Sequence, residues 1–242
     1  MIDFRRYGAA LRVAAVSFFG CLGIIAVPAQ QPDESVVIQG IDAATRTRFE
    51  SIAGFTVTEH YTVYRGSDET HPAAEMTVKT TYRRETGKSY EILSESGSEL
   101  IRRFGLHPLL ENEKSINLPG NVEHSWFTSA NYVMKLKPGG IQQLDGRDCF
   151  ALAVTPKRKA PNMIAGTLWV DAKDFSIAQI EGIASKSPSM WTSPPHMMRN
   201  YIKVSGFAMS NHARAASNSF LVGRTIVIID YRDYQIRLVP GK

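Results

Sequence analysis

The chain has 242 residues, of which 43% are hydrophobic and 21% are charged, and it contains two cysteines. These proportions exclude an intrinsically disordered chain, a collagen and a disulfide-rich scaffold. The length suits a single domain of roughly 200 residues with a sizeable core, and the net charge of +5 is small enough that its location matters more than its value.

The first 29 residues have the organisation of a secretory signal peptide. A basic start with three arginines and one aspartate precedes an apolar run of 15 residues, Val13–Val27, and small residues follow the run up to Ala29. We expect cleavage after this segment, because the run is shorter than the ~20 residues that a membrane-spanning helix needs. The alternative is an inner-membrane anchor formed by residues 13–27.

We expect residues 30–242 to form a single domain. Without the leader, this domain has a smaller net charge and a single cysteine. Two of the five net positive charges belong to the leader, and the remainder is diffuse, so we expect no nucleic-acid partner. Cys149 is then the remaining cysteine, which excludes an internal disulfide. It lies in the apolar run Cys149–Val154 and is expected to be a buried small residue rather than a nucleophile.

An amphipathic helix is predicted directly after the leader. Asp33 is a suitable N-cap, and apolar residues recur at three- and four-residue spacing from Ile38 to Ile52. Gly54 is expected to end the helix. Such a helix has one apolar face, which needs a surface to pack on.

From Phe55 the apolar period changes to two residues, which indicates β-strands. Two alternating runs on either side of the polar segment 66–72 predict a β-hairpin, and a third strand begins at Tyr90. Residues 97–130 interrupt the series with short helical turns. Further strands are predicted at 131–137, 141–144, 147–155, 164–171, 175–183, 201–209, 213–221 and 224–236. The predicted fold is mainly β after an N-terminal helix (α+β), with one antiparallel sheet that is curved or closed.

No motif in the sequence indicates catalysis, and we expect neither an enzyme nor a bound cofactor or metal. Gly87-Lys88-Ser89 resembles the end of a phosphate-binding loop, but Tyr82 replaces the required glycine and no helix follows. The six histidines are scattered, and the pairs Glu59-His60 and Glu123-His124 are expected to be solvated polar positions. An exported hydrolase is a less favoured alternative.

Two segments that are predicted to be loops carry bulky apolar side chains. Residues 119–130 and 187–198 are rich in turn-forming residues, yet they contain Trp126, Phe127, Met190, Trp191, Met197 and Met198. Such side chains either close the end of a barrel by packing or line a pocket for an apolar ligand. Both interpretations stay open at this point.

A third unusual segment is the basic cluster Lys157, Arg158 and Lys159, which lies in a loop flanked by prolines. Without interleaved aromatic residues it indicates a solvated turn rather than a nucleic-acid site. The alternative is a contact with an anionic membrane surface or with a partner protein.

Four segments share a pattern with a known family, namely Leu144–Pro156, Gly166–Asp171, Phe175–Gly182 and Ile229–Ile236. Together with the helix and the strand series, they resemble the LolA/LolB-like superfamily of periplasmic lipoprotein carriers, which includes RseB/MucB-type sensor domains. The resemblance implies a periplasmic, unclosed half-barrel covered by helices and loops. It implies a non-enzymatic carrier or binder of acyl-bearing ligands, or alternatively an RseB/MucB-like envelope sensor or protein-interaction module. The family's aromatic residue and proline are missing from Gly206–Ser210.

The resemblance also implies where a ligand would bind. The helix 33–52 and the loop 190–198 would be movable covers, and a cavity arginine would correspond to Arg83 or Arg84. The apolar cavity or lid would include Trp126, Phe127, Trp169, Met190, Trp191, Met197 and Met198. The expected partners are the acyl chains of a lipid or lipoprotein and an envelope protein, with transient contact with the membrane surface.

Overall fold

The computed structural model describes residues 32–187, 192–219 and 223–241, and its main feature is one antiparallel sheet of ten strands. The strands are β1 Ile52–Arg65, β2 Ala74–Arg83, β3 Gly87–Gly97, β4 Tyr132–Leu144, β5 Arg147–Pro156, β6 Ile164–Asp171, β7 Ile177–Ala184, β8 His196–Val204, β9 Phe207–Ser219 and β10 Gly223–Leu238. Their order across the sheet is β3-β2-β1-β10-β9-β8-β7-β6-β5-β4. Within the described residues, β3 and β4 are the two edge strands, and they do not pair with each other. The curved sheet is therefore an unclosed half-barrel, and the predicted fold class is confirmed.

Helical elements cover the concave face of this sheet. Helix α1 Glu34–Ser51 precedes β1. Between β3 and β4, α2 Glu99–Ile101, a π-helical turn Arg102–Leu106 and α3 His107–Ile116 form one continuous segment, the α2–α3 cover. A short 3-10 turn, Val122–Ser125, follows it. The helical interruption of the strand series is therefore confirmed.

The start of α1 is as predicted, and its end is not. The Asp33 carboxylate accepts a hydrogen bond from Ser35 N at 2.8 Å, which fixes the first turn. The helix ends at Ser51, and Gly54 lies inside β1. A side chain at Gly54 would place its Cβ 2.6 Å from the carbonyl oxygen of Tyr82 on β2. This glycine therefore allows two strands to approach closely and does not end the helix.

Two predicted strand boundaries are corrected by the structure. β8 begins at His196, so Met197 and Met198 lie in a strand and not in a loop. Ser205 and Gly206, with positive φ angles of 51° and 84°, form the hairpin turn that sets the register between β8 and β9. Residues 131–144 hold one strand instead of two, because β4 passes through Pro138-Gly139-Gly140 with an irregularity in its pairing to β5.

The apolar core consists of two clusters on the concave face. The first, under α1, joins Val37 and Ile41 to side chains of β4–β7, among them Tyr132, Met134, Leu152, Leu168 and Ile180. The second, under the α2–α3 cover, joins Leu106 and Leu110 to side chains of β1, β2, β9 and β10, among them Tyr61, Met76, Val78, Ala213 and Ile229. Each helical cover thus has its own half of the sheet.

A glycine allows α1 to lie close to the sheet. A Cβ atom at Gly40 would lie 2.4 to 2.9 Å from ring atoms of Phe175, which real Cβ atoms do not approach. Phe175 follows β6, has a positive φ of 58° and packs against the cluster under α1. The position of α1 therefore depends on the absence of a side chain at residue 40.

The leader assignment concerns residues that lie outside the described part of the chain. This applies both to the signal peptide, residues 1–29, and to the alternative anchor, residues 13–27. In the described ranges, we find no helix with the length and apolar character needed to cross a membrane.

Candidate functional site

The α1 cover is fixed by few buried side chains and by hydrogen bonds at its rim. Of its 18 residues, only Val37, Ile41 and Ser51 are buried. At the N-terminal end, Glu34 Oε2 accepts a hydrogen bond from Leu136 N of β4 at 2.7 Å. In the middle, Asp42 accepts from Ser129 N and Oγ at 2.8 and 2.5 Å. The apolar anchor of this cover is therefore small.

The α2–α3 cover has a similar arrangement. Leu106 and Leu110 are its buried apolar residues. Charged side chains attach it to β3, since Lys88 Nζ lies 2.9 Å from Glu113 Oε2. Glu95 of β3 also contacts Arg102 at 3.3 Å and His107 at 2.5 Å. Both covers thus combine two apolar anchors with polar contacts at the edge of the half-barrel.

Between the two apolar clusters the concave face is polar. Strand alternation places Glu59 and Tyr231 opposite each other on β1 and β10, on the same face as the core residue Tyr61. It places Arg199 of β8 between Met197 and Tyr201, which pack against the cluster under α1. We call this region the polar centre, and define it as Arg48, Glu59, Lys88, Tyr90, Glu113, Arg199, Tyr201 and Tyr231.

The charges of the polar centre are held in a shielded environment. Lys88 holds the pKa of the Glu113 carboxyl down at about 2, against an ordinary value of 4.5. Burial opposes the charge of Lys88, but Glu113 and Glu59 outweigh it and keep the Lys88 pKa above its ordinary value. Burial raises the pKa of Tyr231. At neutral pH the centre therefore contains charged Lys88 and Glu113 beside a neutral phenol.

Arg199 is stabilised as a cation by its neighbours but has no ion pair of its own among the described residues. Burial opposes its charge, and Tyr231, Tyr201 and Glu113 outweigh burial and raise its pKa, Tyr201 also through a side-chain hydrogen bond. Among the described residues no carboxylate forms an ion pair with it. Its residue surface is neither buried nor fully exposed. Arg48 of α1, by contrast, donates through Nε to the carbonyl oxygen of Ala208 at 2.9 Å.

Some buried polar atoms in and beside the polar centre have no hydrogen-bond partner in the described part of the chain. Thr80 Oγ1 and Asn211 Oδ1 are buried, and neither has a hydrogen-bond partner among the described residues. Thr80 and Tyr90 face each other across β2 and β3, and Asn211 follows Ser210 on β9. Buried polar groups without partners are rare in folded proteins.

Three of the residues that the sequence analysis assigned to a cavity or lid, Trp126, Phe127 and Met197, lie on the concave side of the sheet, under or beside α1. Trp126 packs on Phe49 of α1, with ring centroids 4.8 Å apart. Phe127 lies 5.1 Å from the ring of Tyr132 and packs against the cluster under α1, as does Met197. These contacts connect the segment after the 3-10 turn to both α1 and the sheet.

The other assigned residues do not join them. Trp169 and Met198 alternate with residues of the concave face, so that they lie on the outer face of the sheet. Met190 and Trp191 lie outside the described residues. Arg83 is exposed, and Arg84 Nη2 donates to the carbonyl oxygens of Glu50 and Ile52, each at 2.9 Å, at the end of α1.

The basic cluster is partly engaged in the fold. Lys157 Nζ donates to the carbonyl oxygen of Ser129 at 2.7 Å, and Arg158 Nη2 donates to that of His124. Lys159 is exposed. Two of the three bases thus hold the segment 122–131 in place, a role that the sequence did not suggest.

A cavity of about 480 Å³ opens beside this segment. Trp126 and the polar residues Asp42, Arg46, Glu123 and His124 line it, together with residues 128–131. It lies at the seam between α1 and the segment that Asp42 hydrogen-bonds. The packing between α1 and this segment therefore leaves open space at the seam.

The outer face carries a polar row that includes two histidines. His212 Nδ1 lies 2.8 Å from Asp230 Oδ1, and His60 contacts Thr77 Oγ1 at 3.0 Å and Glu75 at 3.4 Å. These residues share one face of neighbouring strands in register. Cross-strand polar pairs of this kind stabilise a sheet surface, and the His60 and Glu75 side chains are more than a third exposed. No role in chemistry is assigned to them.

The polar centre was missed by the sequence analysis, although two signals were present. Glu59 was expected to be solvated, yet only 1% of it is exposed, and it falls in the alternation between Val57 and Tyr61. Lys88 was considered only as part of a phosphate-loop motif. Arg199 and Glu113 have no local signal, because they meet through the register of distant strands and the docking of α3.

No protein-family model and no curated protein sequence matches this chain. Solved structures to which it is similar are a LolA superfamily protein from Nitrosomonas europaea, at 13% identity with a TM-score of 0.44, and an outer membrane lipoprotein-sorting protein domain from Vibrio parahaemolyticus, at 14% and 0.46. A DUF1329 family protein from Desulfovibrio piger is similar at 14% and 0.39. Each comparison covers 85% of this chain and 94% of the other. The first of these structures is that of a LolA superfamily protein.

Proposed function

We propose that the protein is a non-enzymatic periplasmic carrier of acyl-bearing ligands, either lipids or lipoproteins. The observation that carries the proposal is the construction of the concave face. It is apolar on both sides of the polar centre, and each half is closed by a helical cover with two buried apolar anchors. In this proposal an acyl chain takes the place of one cover.

The energetics support an exchange of this kind. Exposing two aliphatic anchors such as Val37 and Ile41 costs about 2 kcal/mol for each side chain. Burying an acyl chain contributes ~0.8 kcal/mol for each CH₂ group. A chain of about a dozen carbons thus contributes more than the anchors of one cover, with a margin that offsets the lost rim hydrogen bonds.

The side chains on the concave face are of a type that adapts to such a ligand. Met76, Met134 and Met163 are buried there, and Met197 packs against the cluster under α1. Methionine is unbranched and flexible, and it is common on surfaces that accept apolar partners of variable shape. Export through the leader predicted for residues 1–29 supports a periplasmic location, where acylated ligands pass between two membranes.

The experiment is a direct search for bound lipid. The protein is purified without detergent, extracted with organic solvent and examined by mass spectrometry, and its affinity for a neutral apolar fluorophore, N-phenyl-1-naphthylamine, is measured in parallel. We expect an acyl-containing species in the extract, or fluorophore binding that palmitate displaces in a saturable manner. If neither is found, the carrier function is wrong.

A further inference from the structure

We propose that the polar centre is a head-group site that selects amphiphiles with one anionic group, a carboxylate or a phosphate, which Arg199 binds. The inference rests on the proposed function and specifies its ligand class. The acyl chain of such an amphiphile would lie on one of the two apolar clusters, and its head group would stay at the boundary between them.

The position of Arg199 supports this placement of the head group. Across β7 and β8 it faces Ile180, which belongs to the cluster under α1. Across β8 and β9 it faces Ala213, which belongs to the cluster under the α2–α3 cover. Arg199 therefore lies where the two apolar surfaces meet, so that a chain can extend to either side while the guanidinium holds the other end.

The charges of the polar centre leave room for one anion. Three cations, Arg48, Lys88 and Arg199, lie with two carboxylates, Glu59 and Glu113. Both carboxylates act on Lys88, and Glu113 forms its ion pair with Lys88 and not with Arg199. A ligand carboxylate or phosphate would compensate the remaining positive charge. A planar guanidinium binds such groups through two parallel hydrogen bonds.

Nearby polar atoms support a ligand that also forms hydrogen bonds. The buried Oδ1 of Asn211 has no partner in the described part of the protein and lies on β9, next to the strand of Arg199. Tyr201 and Tyr231 are neighbours of the same guanidinium. The surroundings of Arg199 thus contain hydrogen-bonding groups, whereas a site for a bare hydrocarbon end would not need them.

The test compares head groups at constant chain length. Displacement of N-phenyl-1-naphthylamine is measured with palmitate, 1-palmitoyl lysophosphatidic acid, hexadecanol and monopalmitin. We expect at least one anionic amphiphile to bind about tenfold or more tightly than the neutral ones, because a hydrogen bond to a charged group contributes that much to affinity. The order of palmitate and the lysophosphatidic acid identifies carboxylate or phosphate as the preferred group.

Arg199→Gln tests the site, and Arg232→Gln is its matched control. Arg232 lies on β10 beside Tyr231, and its side chain is exposed on the outer face of the sheet. We expect Arg199→Gln to weaken the affinity for the anionic amphiphiles about tenfold and to change the affinity for monopalmitin by less than about twofold. Its circular dichroism spectrum should match that of the unmodified protein. Arg232→Gln should leave both affinities unchanged.

The outcomes separate this inference from the proposed function. Equal affinities for charged and neutral amphiphiles in the unmodified protein would overturn the head-group site and leave acyl binding intact. Because this comparison uses the unmodified protein, it tests the head-group site even if Arg199→Gln does not fold. Failure of every amphiphile to displace the fluorophore would overturn the head-group site, and together with a solvent extract free of acyl species it would overturn the carrier function as well.

Discussion

Lys88 Nζ lies 2.9 Å from Glu113 Oε2, and this ion pair connects the beginning of β3 to the last turns of α3. The two side chains are 13% and 23% exposed. The pair therefore has two functions in the structure: it attaches the α2–α3 cover to the edge of the sheet, and it places a carboxylate over the polar centre.

The first prediction concerns the acid stability that this pair confers. The folded-state pKa of Glu113 is about 2, below its ordinary 4.5. The ionised Glu113 therefore stabilises the folded state fully above pH 4.5, and this stabilisation is lost as the pH falls through about 2. A shift of this size corresponds to roughly 3 kcal/mol. We expect Glu113→Gln to lower the free energy of unfolding at pH 7 by about 1–3 kcal/mol, measured by urea denaturation.

The pH dependence provides the control for this prediction. The loss caused by Glu113→Gln should shrink as the measurement is repeated at pH 4 and pH 2.5. Glu111→Gln, on the same helix but 73% exposed, should change stability by less than about 0.5 kcal/mol. A constant loss at all three pH values would show that the ion pair is not its cause.

The second prediction concerns the apolar anchor of α1. Ile41 is fully buried, and Ile41→Ala should lower the free energy of unfolding by about 2–4 kcal/mol through the cavity that it creates. Val36→Ala on the same helix, where 52% of Val36 is exposed, should cost less than about 0.5 kcal/mol. Similar losses in the two variants, measured by urea denaturation, would contradict the packing of α1 on the sheet.

The third prediction uses a glycine to displace α1 without removing an apolar contact. Gly40→Ala forces Phe175 or the helix to move, whereas the Cβ of Gly105→Ala meets only Ile101 Cγ2 at 3.8 Å. We expect Gly40→Ala to lower the melting temperature by several degrees and to accelerate release of N-phenyl-1-naphthylamine in stopped-flow mixing. Gly105→Ala should be neutral or stabilising, because alanine favours a helix over glycine.

The fourth prediction tests whether α1 must move for a ligand to enter. Asp42 and Ser129 join α1 to the segment after the 3-10 turn through hydrogen-bonded side chains, so cysteines at both positions should form a disulfide. We expect the oxidised double variant to take up palmitate at least tenfold more slowly than its reduced form. An unchanged rate would mean that the ligand enters elsewhere, for example under the α2–α3 cover.

The sequence determined the local elements well, for physical reasons. The period of two from Phe55 onward identifies strands because one face is buried and the other solvated. Asp145-Gly146 forms the tight turn expected of it, with φ angles of 49° and 76°. The N-cap at Asp33 and the burial of Cys149 also follow from short stretches of sequence.

The polar centre was beyond such reasoning because its members are distant in sequence. Arg199 of β8 and Tyr231 of β10 have β9 between them in the sheet, and Glu113 comes close to Arg199 only because α3 folds back over the concave face. The boundary of β8 had a similar origin, since the prolines before His196 suggested a loop, while the turn at Ser205-Gly206 fixed the strand. In both cases the outcome depended on pairing between strands, which a short stretch of sequence does not reveal.

The hydrogen bond from Leu136 N to Glu34 has a consequence for association with other proteins. β4 is an edge strand, and edge strands invite pairing with strands of another chain. While α1 is docked, its first carboxylate occupies this amide of the edge. If the protein is the carrier proposed above, displacement of α1 by an acyl chain would free this amide, so that a strand of a partner protein would pair with the edge of loaded molecules and not with that of empty ones.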